Sequence, residues 1–202
     1  MHITIIGAGN IGSVLGRKWA AAGHTVRFGV RSPAEAKFDG LRALGPVLTT
    51  QASLEQAEVI LLALPGAAVA EFASGHAARL DGRIVIDATN NVRSPEMNNL
   101  AVLQEKAPGA RLVRAFSTLG WENFEDPQIG GMQVDLFYCA QADCRSTAEG
   151  LITAVGLRPI CVGGLEAAAL VDGMTRLWFA LAFGQARGRR IAFKLLQEGP
   201  GA

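Results

Sequence analysis

A doubly wound α/β fold, with a mostly parallel sheet and a C-terminal helical extension, is predicted for this 202-residue chain by three observations. Short apolar runs recur along its first half, each ending in glycine, proline or small polar residues, with helix-length segments between them. Runs such as Val59-Ile60-Leu61-Leu62-Ala63-Leu64 are apolar throughout, as strands buried on both faces of a parallel sheet are. The first run opens directly onto Gly7-Ala8-Gly9-Asn10-Ile11-Gly12, and a helical segment and a second strand follow.

The elements follow in order. His2 to Ile6 is the first strand, Ser13 to Ala22 the first helix and Thr25 to Val30 the second strand. Pro33 to Leu44 reads as a short helix and turn, Val47-Leu48 as a third strand, and Ser53 to Ala57 as a short helix capped at Ser53. The strand Val59 to Leu64 stops at Pro65-Gly66. Ala67 to Leu80 is a helix, and Asp81-Gly82 turns into the strand Arg83 to Asp87, which ends in Ala88-Thr89-Asn90-Asn91. Ser94 to Lys106 is expected to be helical, with Pro95 in its first turn. Pro108-Gly109 leads into the strand Arg111 to Phe116. Beyond it, Asp135 to Ala140 and Arg158 to Val162 read as strands and Ser146 to Val155 as a helix. Leu165 to Leu196 carries one long helical pattern, loosened at Gly173, Gly184 and Gly188. Its first part (Leu170, Val171, Met174, Leu177, Trp178, Leu181, Phe183) is apolar nearly all round, which predicts burial in a core or a subunit interface. Its basic tail, Arg187 to Lys194, is expected to be a solvated face that complements the helix C-terminal dipole.

Half the residues are hydrophobic and 18% are charged, enough for a large core. The net charge of +1 makes no electrostatic case for nucleic acid or a membrane surface. Residues 1–22 lack the basic start of a signal peptide, and Leu177 to Phe183 is too short to span a bilayer. Cys139, Cys144 and Cys161 form an odd, scattered set without a nearby His, which reads as reduced thiols in a cytoplasmic protein and no metal site. Cys144 stands near a helix start, where a thiol can be acidified; a plain buried thiol is the expectation.

Strand, glycine loop, helix and strand together make G-x-G-x-x-G a dinucleotide fingerprint, so the fold is read as Rossmann-type. Gly7 allows the tight turn, Gly9 the close approach of a pyrophosphate, and Gly12 the packing of helix on strand. Asn10 and Ile11 begin the helix, whose free amides and positive dipole end face the phosphates. An NAD site usually carries an acid at the end of the second strand. Here Arg31-Ser32 stands there, and the next carboxylate is Glu35. A guanidinium fork and a hydroxyl suit a 2′-phosphate, so the cofactor expected is NADP(H). The competing reading of Arg31 is a solvated surface side chain.

In open α/β sheets the ligand lies beyond the carboxyl ends of the strands. The other strand ends are Ala63-Leu64-Pro65, Ala88-Thr89-Asn90 and Ser117-Thr118-Leu119-Gly120-Trp121, expected to line the nicotinamide and the hydride acceptor. Pro65 also reads as a strand stop, Thr89 and Asn90 as turn formers, and Trp121 equally as core. His2, His24 and His76 fall away from these ends, and Tyr138 lacks a Tyr-x-x-x-Lys neighbour. Alcohols and ketones need a positioned proton donor or acceptor. A flavin-like ring brings its own hydride chemistry and needs mainly orientation.

These features resemble the family of NADPH-dependent reductases of coenzyme F420, an 8-hydroxy-5-deazaflavin, including the related domain of transmembrane metalloreductases. The likeness rests on Gly7 to Gly12, Arg31, Leu64-Pro65, Asp87-Ala88-Thr89-Asn90, Ala115-Phe116-Ser117-Thr118-Leu119-Gly120-Trp121 and the apolar C-terminal helix, spans nearly the whole chain, and is close to a bacterial subgroup of dinucleotide-binding or deazaflavin-dependent NADP oxidoreductases. It implies that the glycine loop, the Arg and the Pro-containing strand end hold NADP(H). It also implies that the segment after the last parallel strand and the C-terminal helices form the deazaflavin pocket and a dimer interface. Archaeal members carry a His-Thr pair where this chain has Ser117-Thr118. The resulting expectation is an NADP-binding domain over 1–163 and a helical segment over 164–202, in a cytoplasmic homodimer. It would pass hydride between NADP(H) and a deazaflavin or flavin in a pocket of Ser117, Thr118, Leu119 and Gly120. The alternatives are an imine or small-carbonyl reductase and a non-catalytic NADP(H) sensor.

Overall fold

The computed structural model describes residues 1–199. Its strands are β1 His2–Ile6, β2 Thr25–Val30, β3 Val47–Thr49, β4 Val59–Leu62, β5 Ile84–Asp87, β6 Arg111–Arg114, β7 Gln128–Ile129, β8 Met132–Gln133, β9 Asp135–Ala140 and β10 Arg158–Cys161. Its α-helices are α1 Asn10–Ala21, α2 Asp39–Arg42, α3 Thr50–Ser53, α4 Val69–Leu80, α5 Leu100–Lys106, α6 Glu122–Glu125, α7 Arg145–Val155 and α8 Ala168–Phe179. The main sheet runs β3-β2-β1-β4-β5-β6-β9-β10, parallel throughout except for the β6–β9 pair. Its first six strands have the 3-2-1-4-5-6 order of dinucleotide-binding sheets, with the order reversing between β1 and β4. The fold class expected from the sequence is the one observed.

Alternation along the buried strands divides the core into two layers. Ile3, Ile5, Val59 and Leu61 face α1 and α7, where Trp19, Leu151 and Ile152 pack. Ile6, Ile60 and Leu62 face α4, α5 and α8, where Phe72, Leu103 and Val171 pack.

Three expected elements differ. The helix placed at Ser53 to Ala57 lies instead at Thr50–Ser53, because Thr49 Oγ1 accepts from the Ala52 amide as its cap while the Ser53 hydroxyl donates to Thr50 O. The helix expected from Ser94 starts only at Leu100. Upstream, the Asn98 and Asn99 amides donate to the side chains of Asp172 and Asp87, which takes them out of any helical ladder.

The long C-terminal helix also stops early. A 3₁₀ turn over Leu165–Ala167, α8 and a π-helical turn over Ala180–Gly184 form one helical stretch. Those 20 residues are long and apolar enough to cross a membrane by composition, unlike Leu177 to Phe183 alone, yet Val171, Asp172, Thr175 and Trp178 are buried in this chain. Ala186 and Gly188 then take positive φ, 52° and 77°, and the chain turns back.

The basic tail is therefore a strap, not a solvated helix face. Arg189 pairs with Glu122, Arg190 with Asp126 and Lys194 with Asp135. Trp178 Nε1 donates to Ile191 O at 3.0 Å. Asp135 is the deepest anchor, 1% exposed, accepting from Arg158, Lys194 and the Leu195 amide. Burial pushes its carboxyl up, but these bonds outweigh burial and hold it below the usual range. Their stabilisation is complete above the unfolded pKa of about 3.9 and is lost as pH falls through the lower folded value. Asp135→Asn is expected to cost roughly 2 kcal/mol at pH 7 and to flatten this acid loss, as read by thermal melts from pH 7 down to pH 2.

Candidate active site: a cleft at the carboxyl edge of the sheet

The glycine loop sits where β1 meets β4. Gly7 has φ 103°, and its amide donates to Gly29 O of β2 at 3.1 Å. A side chain on Gly7 would overlap the Ala63 carbonyl, and one on Gly12 would overlap the Gly7 carbonyl. These two glycines are required by the protein's own packing. Gly9 differs: a Cβ there would meet no protein atom within 4 Å. Helix α1 starts beyond it with no side-chain cap and no acid in its first turn. Among the described residues nothing accepts from the amides of Asn10, Ile11 and Gly12. Open space above Gly9 and an uncapped helix end fit a pyrophosphate.

Arg31 and Ser32 follow β2 and are exposed. Among the described residues neither side chain has a hydrogen-bond or ion-pair partner, so both are available to a phosphate lying beside the loop.

A cleft of about 290 Å³ opens next to Gly9, Asn10 and Ile11. Ala63, Asn90, Ser117, Leu119 and Gly120 also line it, together with Trp121, Trp178, Phe179 and Arg189. The expected loops from β1, β4, β5 and β6 thus meet in one place. Phe116, at the end of β6, carries φ 59°, an uncommon value for an aromatic residue. Edge-to-face packing of its ring on Trp19 and Phe124 holds it there. The turn that follows leaves the Ser117 hydroxyl buried and without a partner.

Beneath the cleft lies a buried polar network. Asp87 accepts from the Thr89 amide and hydroxyl at 3.0 and 2.6 Å. Thr89 Oγ1 in turn accepts from Asn99 Nδ2 at 2.7 Å. Arg114, fully buried, donates to Asp172 Oδ1, to the Asp87 and Thr89 carbonyls and to Asn90 Oδ1.

Several expected contacts fall elsewhere. The Thr89 side chain turns inward and is spent on Asp87 and Asn99, so it shapes the loop and does not face the cleft. Thr118 is 1% exposed and Ala88 2%, both off the cleft wall. Leu64 packs against the α4 side of the core, and Pro65 is exposed past the strand end. Burial pushes the Cys144 thiol up to about 11, against any activation by its helix. Arg189 had no local signal in the sequence. It reaches the cleft because the strap folds back, and its guanidinium lies over the Trp178 and Phe183 rings at 5.7 and 5.6 Å.

The comparisons agree with this architecture. Residues 2–91 match the family model described as NADP oxidoreductase, coenzyme F420-dependent. The glycerol-3-phosphate dehydrogenase [NAD(P)+] of Pseudomonas syringae pv. syringae is 28% identical over 125 residues, 54% of this chain and 37% of that protein. The chain therefore matches little more than a third of the length of this curated relative. Among solved structures, a candidate F420-dependent NADP reductase from Arthrobacter sp. FB24 has a TM-score of 0.84 at 21% identity, over 96% of this chain and 99% of that one. The imine reductase of Bacillus cereus BAG3X2 has a TM-score of 0.71 at 17% identity, over 92% of this chain and 62% of that one. At these identities the structural likeness carries the fold.

Proposed function

We propose, from the match of residues 2–91 to the coenzyme F420-dependent NADP oxidoreductase family model, that this chain passes hydride between NADP(H) and a planar deazaflavin- or flavin-type acceptor. The chemistry of the step belongs to the two rings; bound nicotinamide supplies or takes the hydride. The chain's own residues bind and orient. The uncapped start of α1 and the space over Gly9 would hold the pyrophosphate, Arg31 and Ser32 the 2′-phosphate, and Asn90 and Ala63 the nicotinamide side.

One observation supports the acceptor class. Trp121, Trp178 and Phe179 give the cleft an aromatic lining, with the Trp178 and Phe179 rings edge to face, and among the described residues Arg189 is the one charged residue that lines it. Among the described residues no carboxylate, His, Lys or Tyr lines it to move a proton. An aromatic lining without a proton-transfer group suits an apolar ring better than an alcohol that must lose a proton in the same step. The test is a spectrophotometric screen of NADPH oxidation against deazaflavin, flavins, imines and plain ketones. Turnover with the flat acceptors and none with ketones is expected. Robust ketone or imine reduction without flavin-type activity would overturn the reading, and tight NADPH binding with no turnover would favour a sensor.

NADPH is expected to bind at least tenfold tighter than NADH, since charge-assisted hydrogen bonds contribute about 1.5–3 kcal/mol each. Arg31→Ala should erase most of that preference. Equal affinities in the wild type, by calorimetry, would remove the 2′-phosphate assignment.

A homodimer through α8 is part of the same proposal. Leu170, Leu177 and Phe183 are 64%, 50% and 52% exposed along this helical stretch, and two-fold dimers are the commonest assemblies. Light scattering should report twice the chain mass; a monomer at high micromolar concentration would leave that apolar surface without a dimer partner.

A further inference from the structure

We infer that Arg114 is a positioning residue that fixes the Asn90 amide with an N–H donor free for the cleft, and that this donor recognises the carboxamide oxygen of the nicotinamide. The inference rests on the nucleotide reading above and goes beyond it in assigning a polarity. An amide side chain can be placed either way round, but the partners here allow one orientation. Arg114 has donors and no acceptor, so the Asn90 atom 2.8 Å from its Nη2 must be the oxygen. The Ser117 carbonyl only accepts, so the Asn90 atom 3.1 Å from it must be the nitrogen. Both contacts demand the same rotamer. With Oδ1 turned to Arg114 and one N–H given to Ser117, the second N–H is the donor that remains, on a residue lining the cleft.

Arg114 cannot turn away from this task. It is wholly buried, with Asp172 accepting from Nε at 3.1 Å and from Nη2 at 2.9 Å, and the Asp87 carbonyl accepting from Nη1 at 3.2 Å. Asp172 lies on α8, the helix that also supplies Trp178 and Phe179. Arg114 thus ties the aromatic wall to the strand end that would meet the nicotinamide. Asn90 stands at the end of β5, on the β4-β5-β6 half of the sheet. In a dinucleotide site that half takes the nucleotide remote from the glycine loop's 2′-phosphate end.

The test compares affinities by calorimetry for NADPH and for 2′-phospho-ADP-ribose, which has the phosphates and no nicotinamide. Asn90→Asp keeps an oxygen for Arg114 and removes the donor. It should weaken NADPH about tenfold or more and leave 2′-phospho-ADP-ribose within twofold. Arg114→Lys, which frees the Asn90 amide, should give the same selective loss. A third arm uses the wild type alone: thio-NADPH, with sulfur in place of the carboxamide oxygen, should bind several-fold weaker than NADPH. Equal losses for both ligands in Asn90→Asp, no loss, or equal affinity for thio-NADPH and NADPH would overturn the inference while leaving the nucleotide reading standing. A wild type that binds neither NADPH nor 2′-phospho-ADP-ribose would overturn both.

Discussion

Gly9→Val should abolish NADPH binding, by a hundredfold or more, in a protein that stays folded. The two halves of this expectation have separate causes. A Cβ at Gly9 meets no protein atom within 4 Å, and the φ of −79° is ordinary for any residue, so the fold is expected to accept valine there. The cost is that of a poorer helix-capping position, about 1 kcal/mol. The same side chain would fill the space through which a pyrophosphate reaches the α1 amides. Gly7 and Gly12 make the contrast, because a side chain at either would strike a backbone carbonyl of the fold itself. Calorimetry with NADPH, alongside a thermal melt, separates the cases. A folded Gly9→Val protein with wild-type affinity would mean that the phosphates do not lie on this loop.

Arg114→Met should destabilise the protein by roughly 3–5 kcal/mol, because it removes the cation from a buried cluster and leaves the charges of Asp87 and Asp172 without compensation. Their side chains are 0% and 10% exposed, and the Arg114 side chain 0%. The Asp87 and Thr89 carbonyls and Asn90 Oδ1 would lose their donor as well. For a chain of this length the melting temperature should fall on the order of 10 °C. Asp172→Asn, which keeps an acceptor oxygen for Arg114, should cost less. A variant at position 114 that melts with the wild type would show the network to be incidental to stability.

Much of the fold was legible because its signals are local. Six apolar runs, ended by glycine, proline or polar residues, mark β1 to β6, and Asp135 to Ala140 matches β9 residue for residue. The helices expected from Ser94 and Leu165 differ in the structure at the points where distant side chains intervene. Propensity cannot register that Asp172 takes the Asn98 amide from 74 residues away, or that Asp135 and Glu122 recruit the basic tail as a strap.

The site divides along the same line. That the glycine loop and the strand ends at Ala63, Asn90, Ser117, Leu119 and Gly120 meet at one cleft was readable from the residues. Each depends on what a short stretch of backbone does at the end of a parallel strand. Which of the expected side chains face the cleft was decided only by the tertiary structure. Thr89 and Thr118 look as suitable as Asn90 and Ser117 in the sequence, yet one is spent on Asp87 and Asn99, and the other lies buried off the wall. Arg114 reads as one more charge on a strand, and Arg189 as one more on a tail. Burial between Asp87 and Asp172 makes the first the centre of the site's scaffold, and the turn at Ala186 and Gly188 brings the second to its mouth. Local backbone preferences act over a few residues and are written in the sequence directly. The orientation of a polar side chain depends on which donors and acceptors the folded chain sets around it, and those come from residues dozens of positions apart.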